Sequence, residues 1–160
     1  MSQILTDQQY NNLPKKRSGA SCIFVNENNE ILIAKSPYKD YWTLPGGTIE
    51  ENESPHTACA REVKEELGLE NVPLSFVCVG YENTKGSGEC YQFVFYGGVL
   101  NNSQISQIKL QTTEISKFKF IPRDQTHNYL KRITAERILK CLSAIEDGMV
   151  IYLENTESYT

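Results

Sequence analysis

The chain has no long apolar run, no CxxC pair, no excess of basic residues and no internal repeat, and each absence removes a class of protein. No uninterrupted apolar stretch approaches the ~20 residues that a membrane-spanning helix needs. The net charge is −4, and the one basic cluster, Lys15-Lys16-Arg17, reads as a solvated strand entry. Neither a nucleic-acid polymer nor a membrane surface is therefore expected as partner. The cysteines, at 22, 59, 78, 90 and 141, are odd in number and lack metal-site spacing. That usage suits a reducing compartment in which thiols serve as small apolar residues. The opening "MSQILTDQQYNN" lacks the charged–apolar–small order of a secretory leader, and a cytoplasmic location is the expectation.

What is present is an ordinary globular composition, 39% hydrophobic and 22% charged over 160 residues, enough for one domain over 1–160 with a proper core. Two apolar runs, 20–25 and 31–34, flank a polar Asn/Glu turn and predict a β-hairpin. Pro45-Gly46-Gly47 predicts a turn between short extended pieces. A helix follows, with Ser54 as N-cap, Pro55 in its first turn, Cys59, Val63 and Leu67 as an apolar stripe and Gly68 as its stop. Strands are expected over 72–83, 89–100 and 115–122, a second helix from Tyr129 to Gly148 including Leu130, and a short extended piece after Met149. Strands mixed with one early and one late helix imply a sheet covered on both faces.

The early helix carries a difficulty. Glu62, Glu65 and Glu66 fall within roughly 100° of arc, where like charges repel. Glu65 and Glu66 also sit at the helix end that the macrodipole makes unfavourable for anions. On spacing alone a solvated acidic face is the commoner reading; the sharper one is a set of carboxylates for a hard divalent cation, which turns repulsion into shared coordination.

The flanks weigh between them. Gly47, Glu53, Arg61, Glu62, Val63, Glu65, Glu66, Gly68 and Leu69 reproduce all nine specified positions of G-x5-E-x7-R-E-U-x-E-E-x-G-U, where U is aliphatic. A chance match is on the order of one in a billion per start position at ordinary residue frequencies. The sequence thus resembles the Nudix hydrolases, and with the hairpin, the "LPGG" lead-in and the late helix the resemblance extends over 17–147. It implies an α/β/α sandwich around a mixed sheet, and Mg²⁺- or Mn²⁺-dependent hydrolysis of a nucleoside diphosphate linked to a further group. By position, Glu62, Glu65 and Glu66 become metal ligands, with a Gly46 or Gly47 carbonyl beside them. Arg61 and Glu53 become an ion pair that braces the loop. Glu114 becomes a candidate general base, set against the bland reading of an exposed loop glutamate, with Glu89 as a rival. His56 and His127 read as surface and structural residues.

The resemblance also implies a small-molecule nucleotide substrate, its base held by aromatic side chains and its phosphates by Lys or Arg. Tyr38, Tyr41, Trp42, Tyr81 and Tyr91 are candidates for the first role, and Lys35 and Arg17 for the second. The downstream signatures of the ADP-ribose, NADH and dinucleoside polyphosphate groups do not stand out, nor does a coenzyme A pattern. The stretch "SPYKDYWTLPGGTIEENESP" resembles small nucleotide-sanitising members, so a (d)NTP is the expected substrate and ADP-ribose or a nucleotide sugar the alternative. A non-catalytic nucleotide sensor is the rival from another class; such domains lose motif glutamates, and here all three are present. Many relatives dimerise, and a homodimer is an expectation that no sequence feature localises.

Overall fold

In the computed structural model, residues 6–85 and 88–159 are described. The elements are α1 (Asp7–Asn11), β1 (Arg17–Asn26), β2 (Ile31–Lys35), β3 (Gly46–Thr48), α2 (Pro55–Leu67), β4 (Ser75–Thr84), β5 (Gly88–Leu100), α3 (Asn102–Ser106), β6 (Lys117–Ile121), α4 (Thr126–Tyr129), α5 (Arg132–Glu146), β7 (Ile151–Glu154) and β8 (Glu157–Tyr159). One mixed sheet of eight strands runs in the order β6-β2-β1-β5-β4-β7-β8, with β3 paired to β1 off this path. The β1–β5 and β4–β7 pairs are parallel and the others antiparallel. Among the described residues, no helix is long and apolar enough to cross a membrane.

β1 explains the layering. Its run Cys22-Ile23-Phe24-Val25 is buried throughout, because alternate residues serve two cores. Cys22 and Phe24 join Ala58, Cys59, Val63 and Leu67 of α2 on one face. Ile23 and Val25 join Ala135, Ile138 and Cys141 of α5 on the other. The α/β/α sandwich is thus formed by α2 and α5 on opposite sides of the sheet.

α2 has the expected ends. Ser54 Oγ accepts from the Thr57 N–H at 3.1 Å, Pro55 opens the helix, and Gly68 closes it at φ 69°, its N–H bonded to the Lys64 carbonyl at 2.9 Å. The late helix differs from expectation. It begins at Arg132, after the short α4, and Leu130 is extended with φ −105° and ψ 153°. Leu130 forms a bridge to Trp42, and its buried side chain joins the α5-side core, so tertiary pairing overrides the helical spacing of its apolar residues. The tail forms two strands, β7 and β8, rather than one extended piece.

One close approach fixes the β1–β5 register. A Cβ on Gly97 would lie 2.2 Å from the Phe24 ring, beside the register shift at Ile23/Phe24. Gly97→Ala is therefore expected to destabilise the protein by about 1–3 kcal/mol, the usual range for overpacking. Urea unfolding midpoints measure this, and an unchanged midpoint would mean that the ring moves aside freely.

Candidate active site

The site forms where β3 passes over the C-terminal half of α2. The Gly46 N–H donates to Glu66 Oε2 at 2.8 Å. Gly46 has φ 139°, and a Cβ there would lie 2.3 Å from the Ala20 carbonyl. A Cβ on Gly47 would lie 2.3 Å from Glu62 Oε1. Gly46 is thus required by contact, since a side chain there would push β3 off β1, while a side chain on Gly47 would displace the Glu62 carboxylate. The Gly47 carbonyl oxygen lies 3.2 Å from the position of a Cβ on Gly19.

Arg61 ties the acidic groups together. Its Nε and Nη2 donate to the two oxygens of Glu53 at 2.9 and 3.0 Å, a two-pronged pair. Nη1 reaches Glu62 Oε1 at 2.9 Å and Glu65 Oε2 at 3.0 Å, and Nη2 also bonds the Thr48 carbonyl at 3.2 Å. Glu53 in turn accepts from the Glu50 N–H at 3.0 Å. The guanidinium holds Glu53 below the usual carboxylate range. One cation therefore fixes the loop, two helix carboxylates and the end of β3 at once.

Glu114 lies on the loop before β6, where its N–H and that of Ile115 both bond the Gln111 carbonyl at 2.9 Å. The buried Ile115 anchors this loop. Ligand oxygens of Glu62, Glu65 and Glu114 all lie within 4.8 Å of one another. Glu66 stands beside this trio, 7% exposed and bonded to Gly46. Of the expected ligand set, the structure thus draws Glu62 and Glu65 together with Glu114, and puts Glu66 directly under the glycine turn. An all-oxygen set of closely spaced carboxylates fits Mg²⁺ or Mn²⁺ and does not suit soft metals.

Burial pushes Glu66 up to about 8, with Glu62 and Glu114 adding like charge and the Gly46 N–H and Lys39 opposing. Burial also raises Glu62, against the pull of Arg61. A carboxyl raised in the folded state contributes stability that is complete below its unfolded pKa, near 4.3, and is lost as pH rises toward the folded value. The metal-free protein is therefore expected to lose stability between about pH 4.5 and pH 8, by a few kcal/mol at most from Glu66. Thermal melts in a chelator across that range check the sign, and a gain in stability over the same window would contradict it.

An open cavity of about 550 Å³ adjoins the glycine turn, between the α5 face of the sheet and the start of α5. Of the residues expected to touch substrate, Arg17 and Tyr41 line it. Lys35 and Trp42 do not. Lys35 pairs with Lys117 across β2–β6, and Trp42 packs edge-on to Tyr129 at 6.3 Å with Lys119 Nζ 5.5 Å from its ring. Tyr81 and Tyr91 pack against each other outside the cavity, with ring centroids 5.6 Å apart and the rings tilted by 54°, and Tyr38 is 83% exposed. Glu89 accepts from Tyr81 at 2.6 Å and pairs with Lys16, which leaves it engaged away from the carboxylate cluster. His56 packs edge-on to Phe95 at 5.7 Å, and His127 is exposed on α4.

Several cavity residues were missed. Lys39, Gln92, Lys131 and the ion pair of Glu82 with Arg137 all line it. Lys131 Nζ stands 3.7 Å from the Tyr41 ring centroid. None belongs to a local pattern, and only the fold brings them together.

The NUDIX domain family model matches residues 15–141, and the chain belongs to that family. The putative 8-oxo-dGTP diphosphatase of Bacillus subtilis (strain 168) is 33% identical over 103 residues, 64% of this chain and 64% of that protein. Diphosphoinositol polyphosphate phosphohydrolase 2 of Rattus norvegicus is 42% identical over 81 residues, 50% of this chain and 45% of that protein. The matched region is thus less than two thirds of the length of these relatives. Among solved structures, the MutT protein from Methanosarcina mazei Go1 superposes with a TM-score of 0.69 at 21% identity, covering 84% of this chain and 99% of that one. A UDP-X diphosphatase superposes with a TM-score of 0.70 at 24% identity, over 88% and 68%. These two likenesses are of fold.

Proposed function

We propose that the chain is a Mg²⁺- or Mn²⁺-dependent hydrolase that cleaves the diphosphate linkage of a nucleoside diphosphate derivative, a (d)NTP being the favoured substrate. The observation that carries this reading is the pair Glu62 and Glu65, pinned by Arg61 beside Glu114, with Glu66 under the Gly46–Gly47 turn that borders a cavity lined by Arg17, Lys39 and Lys131. Glu62, Glu65 and Glu66 would hold the cation. Bound there, it would neutralise the acidic face, draw in the phosphates and make a water more acidic. Arg61 keeps the carboxylates aimed and Glu53 keeps Arg61 in place. Lys39 and Arg17 hold phosphate oxygens, and Glu114 takes the proton from the water that attacks phosphorus. The phosphorus–oxygen bond of the anhydride then breaks and two phosphate-terminated products leave, with positioning and electrostatics supplying most of the acceleration. Relatives named for 8-oxo-dGTP, RNA and diphosphoinositol polyphosphates support anhydride hydrolysis as the common chemistry.

The test is a screen of nucleoside triphosphates, ADP-ribose and nucleotide sugars with Mg²⁺ or Mn²⁺, detecting released phosphate, pyrophosphate or nucleoside monophosphate. Turnover of a triphosphate supports the reading. Turnover only of ADP-ribose or a nucleotide sugar moves the substrate but keeps the chemistry. Tight binding of one compound with no turnover of any would make the chain a sensor.

A further inference from the structure

The cavity floor is built from strands in register. Gly19 of β1, Gln92 of β5 and Gly80 of β4 form one row, and Arg17, Cys90 and Glu82 the next. Neighbouring strands stand about 4.8 Å apart and alternate residues share a face, so the two glycines leave a trough on either side of Gln92. Over Gly80 the trough is filled by Arg137, whose Cδ lies 3.5 Å from the position of a Cβ there. Over Gly19 it is entered by the Gln92 carboxamide, whose Oε1 lies 2.9 Å from the position of a Cβ. The β3 turn that overlies the carboxylates borders Gly19, while Glu82 stands two strands further along the order β1-β5-β4.

Two acceptors of this floor have no donor among the described residues. Arg137 is buried, and its Nη1 pairs with Glu82 Oε1, an oxygen closed off from solvent. Glu82 lines the cavity, which leaves Oε2 as its ligand-facing atom, and no hydrogen bond reaches that atom among the described residues. Gln92 Nε2 donates to Cys90 Sγ at 3.8 Å, and its Oε1 has no donor among the described residues either. An apolar pair would join α5 to β4 at least as well as a buried ion pair does. What it would not supply is a fixed acceptor, and a carboxylate at this end is a poor place for phosphate.

We infer that Glu82, aided by Gln92, reads the base of the substrate and accepts a hydrogen bond from an exocyclic amino group, so that amino-bearing bases are taken over their keto counterparts. The inference rests on the nucleotide reading above. Glu82 is the specificity-determining residue and Arg137 the positioning residue that fixes its carboxylate. A keto oxygen in place of the amino group sets acceptor against acceptor at that position, and the ring N–H that the keto base gains lies one atom to the side, so the bond to Oε2 is lost.

Matched pairs test it: ATP against ITP and CTP against UTP, with kcat/KM measured with Mg²⁺ and dissociation constants by calorimetry with Ca²⁺. The amino member of each pair is expected to be favoured about tenfold or more in both measurements. Glu82→Gln offers both a donor and an acceptor and should bring the ratios close to one. Gln92→Met leaves the buried pair intact, so its smaller ratio, read on a folded protein, stands even where Glu82→Gln fails to fold. Equal ratios in the parent protein, or keto bases preferred, overturn the inference and leave the hydrolase reading in place. No turnover of any nucleotide defeats the hydrolase reading. Calorimetry then decides the inference alone, and equal affinities or no binding at all overturn it.

Discussion

Glu66→Gln is expected to lower kcat/KM by on the order of 10³-fold while making the metal-free protein more stable at pH 8 and above. The two effects have one cause. Glu66 is buried beneath β3, and burial raises its carboxyl to about 8, so its ionised form is held at a cost that the proposed cation would offset. Glutamine keeps the shape and can still accept the 2.8 Å bond from the Gly46 N–H, but it brings no charge for the cation. The melting temperature in a chelator should therefore rise above that of the parent at pH 8 and match it near pH 4.5, where both side chains are neutral. Steady-state kinetics and chelator melts on the same preparation check both halves. Parent-like activity would remove Glu66 from the cation site. Lost activity with lost stability at pH 8 would mean that the carboxylate serves the fold instead.

Arg61→Lys is the second large effect, expected to cost about 10- to 100-fold in kcat/KM, the usual range for residues that orient metal ligands. Lysine keeps the charge and loses the fork. A single ammonium cannot hold both oxygens of Glu53 while reaching Glu62, Glu65 and the Thr48 carbonyl. The freed carboxylates repel one another, and affinity for Mn²⁺ falls with activity. Excess Mn²⁺ should restore part of the rate in Arg61→Lys and none in Glu66→Gln. Full parental activity in Arg61→Lys would show that charge alone, without the two-pronged geometry, is what the site needs.

How far the sequence could be read follows the range of the interactions. The acidic face and the glycine turn were legible because helix periodicity and turn chemistry fix them locally, and the Arg61–Glu53 pair because the 23-residue motif that carries the family resemblance implies it. The hairpin of β1 and β2 was legible from its turn. What was hidden depends on pairing across the sheet. Glu82 and Arg137 meet because β4 lies under α5, and Gln92 enters the cavity because β5 runs parallel to β1. The resemblance offers Lys35 as a phosphate contact, yet β2 carries it toward β6 and away from the cavity. Trp42 was chosen for its ring, but the bridge to Leu130 turns it into packing for Tyr129. The same bridge broke the predicted helix at its start, since a residue committed to strand pairing cannot also take a helical turn.

The most direct test of the cation site is a crystal of this chain grown with Mn²⁺ and a non-hydrolysable nucleoside triphosphate, with diffraction recorded at the manganese edge. The account predicts anomalous density within about 2.5 Å of carboxylate oxygens from Glu62, Glu65 and Glu66, with the ion also touching phosphate oxygen. A manganese peak bound elsewhere, with those three side chains turned to solvent or still held by Arg61 and Gly46 alone, would contradict it.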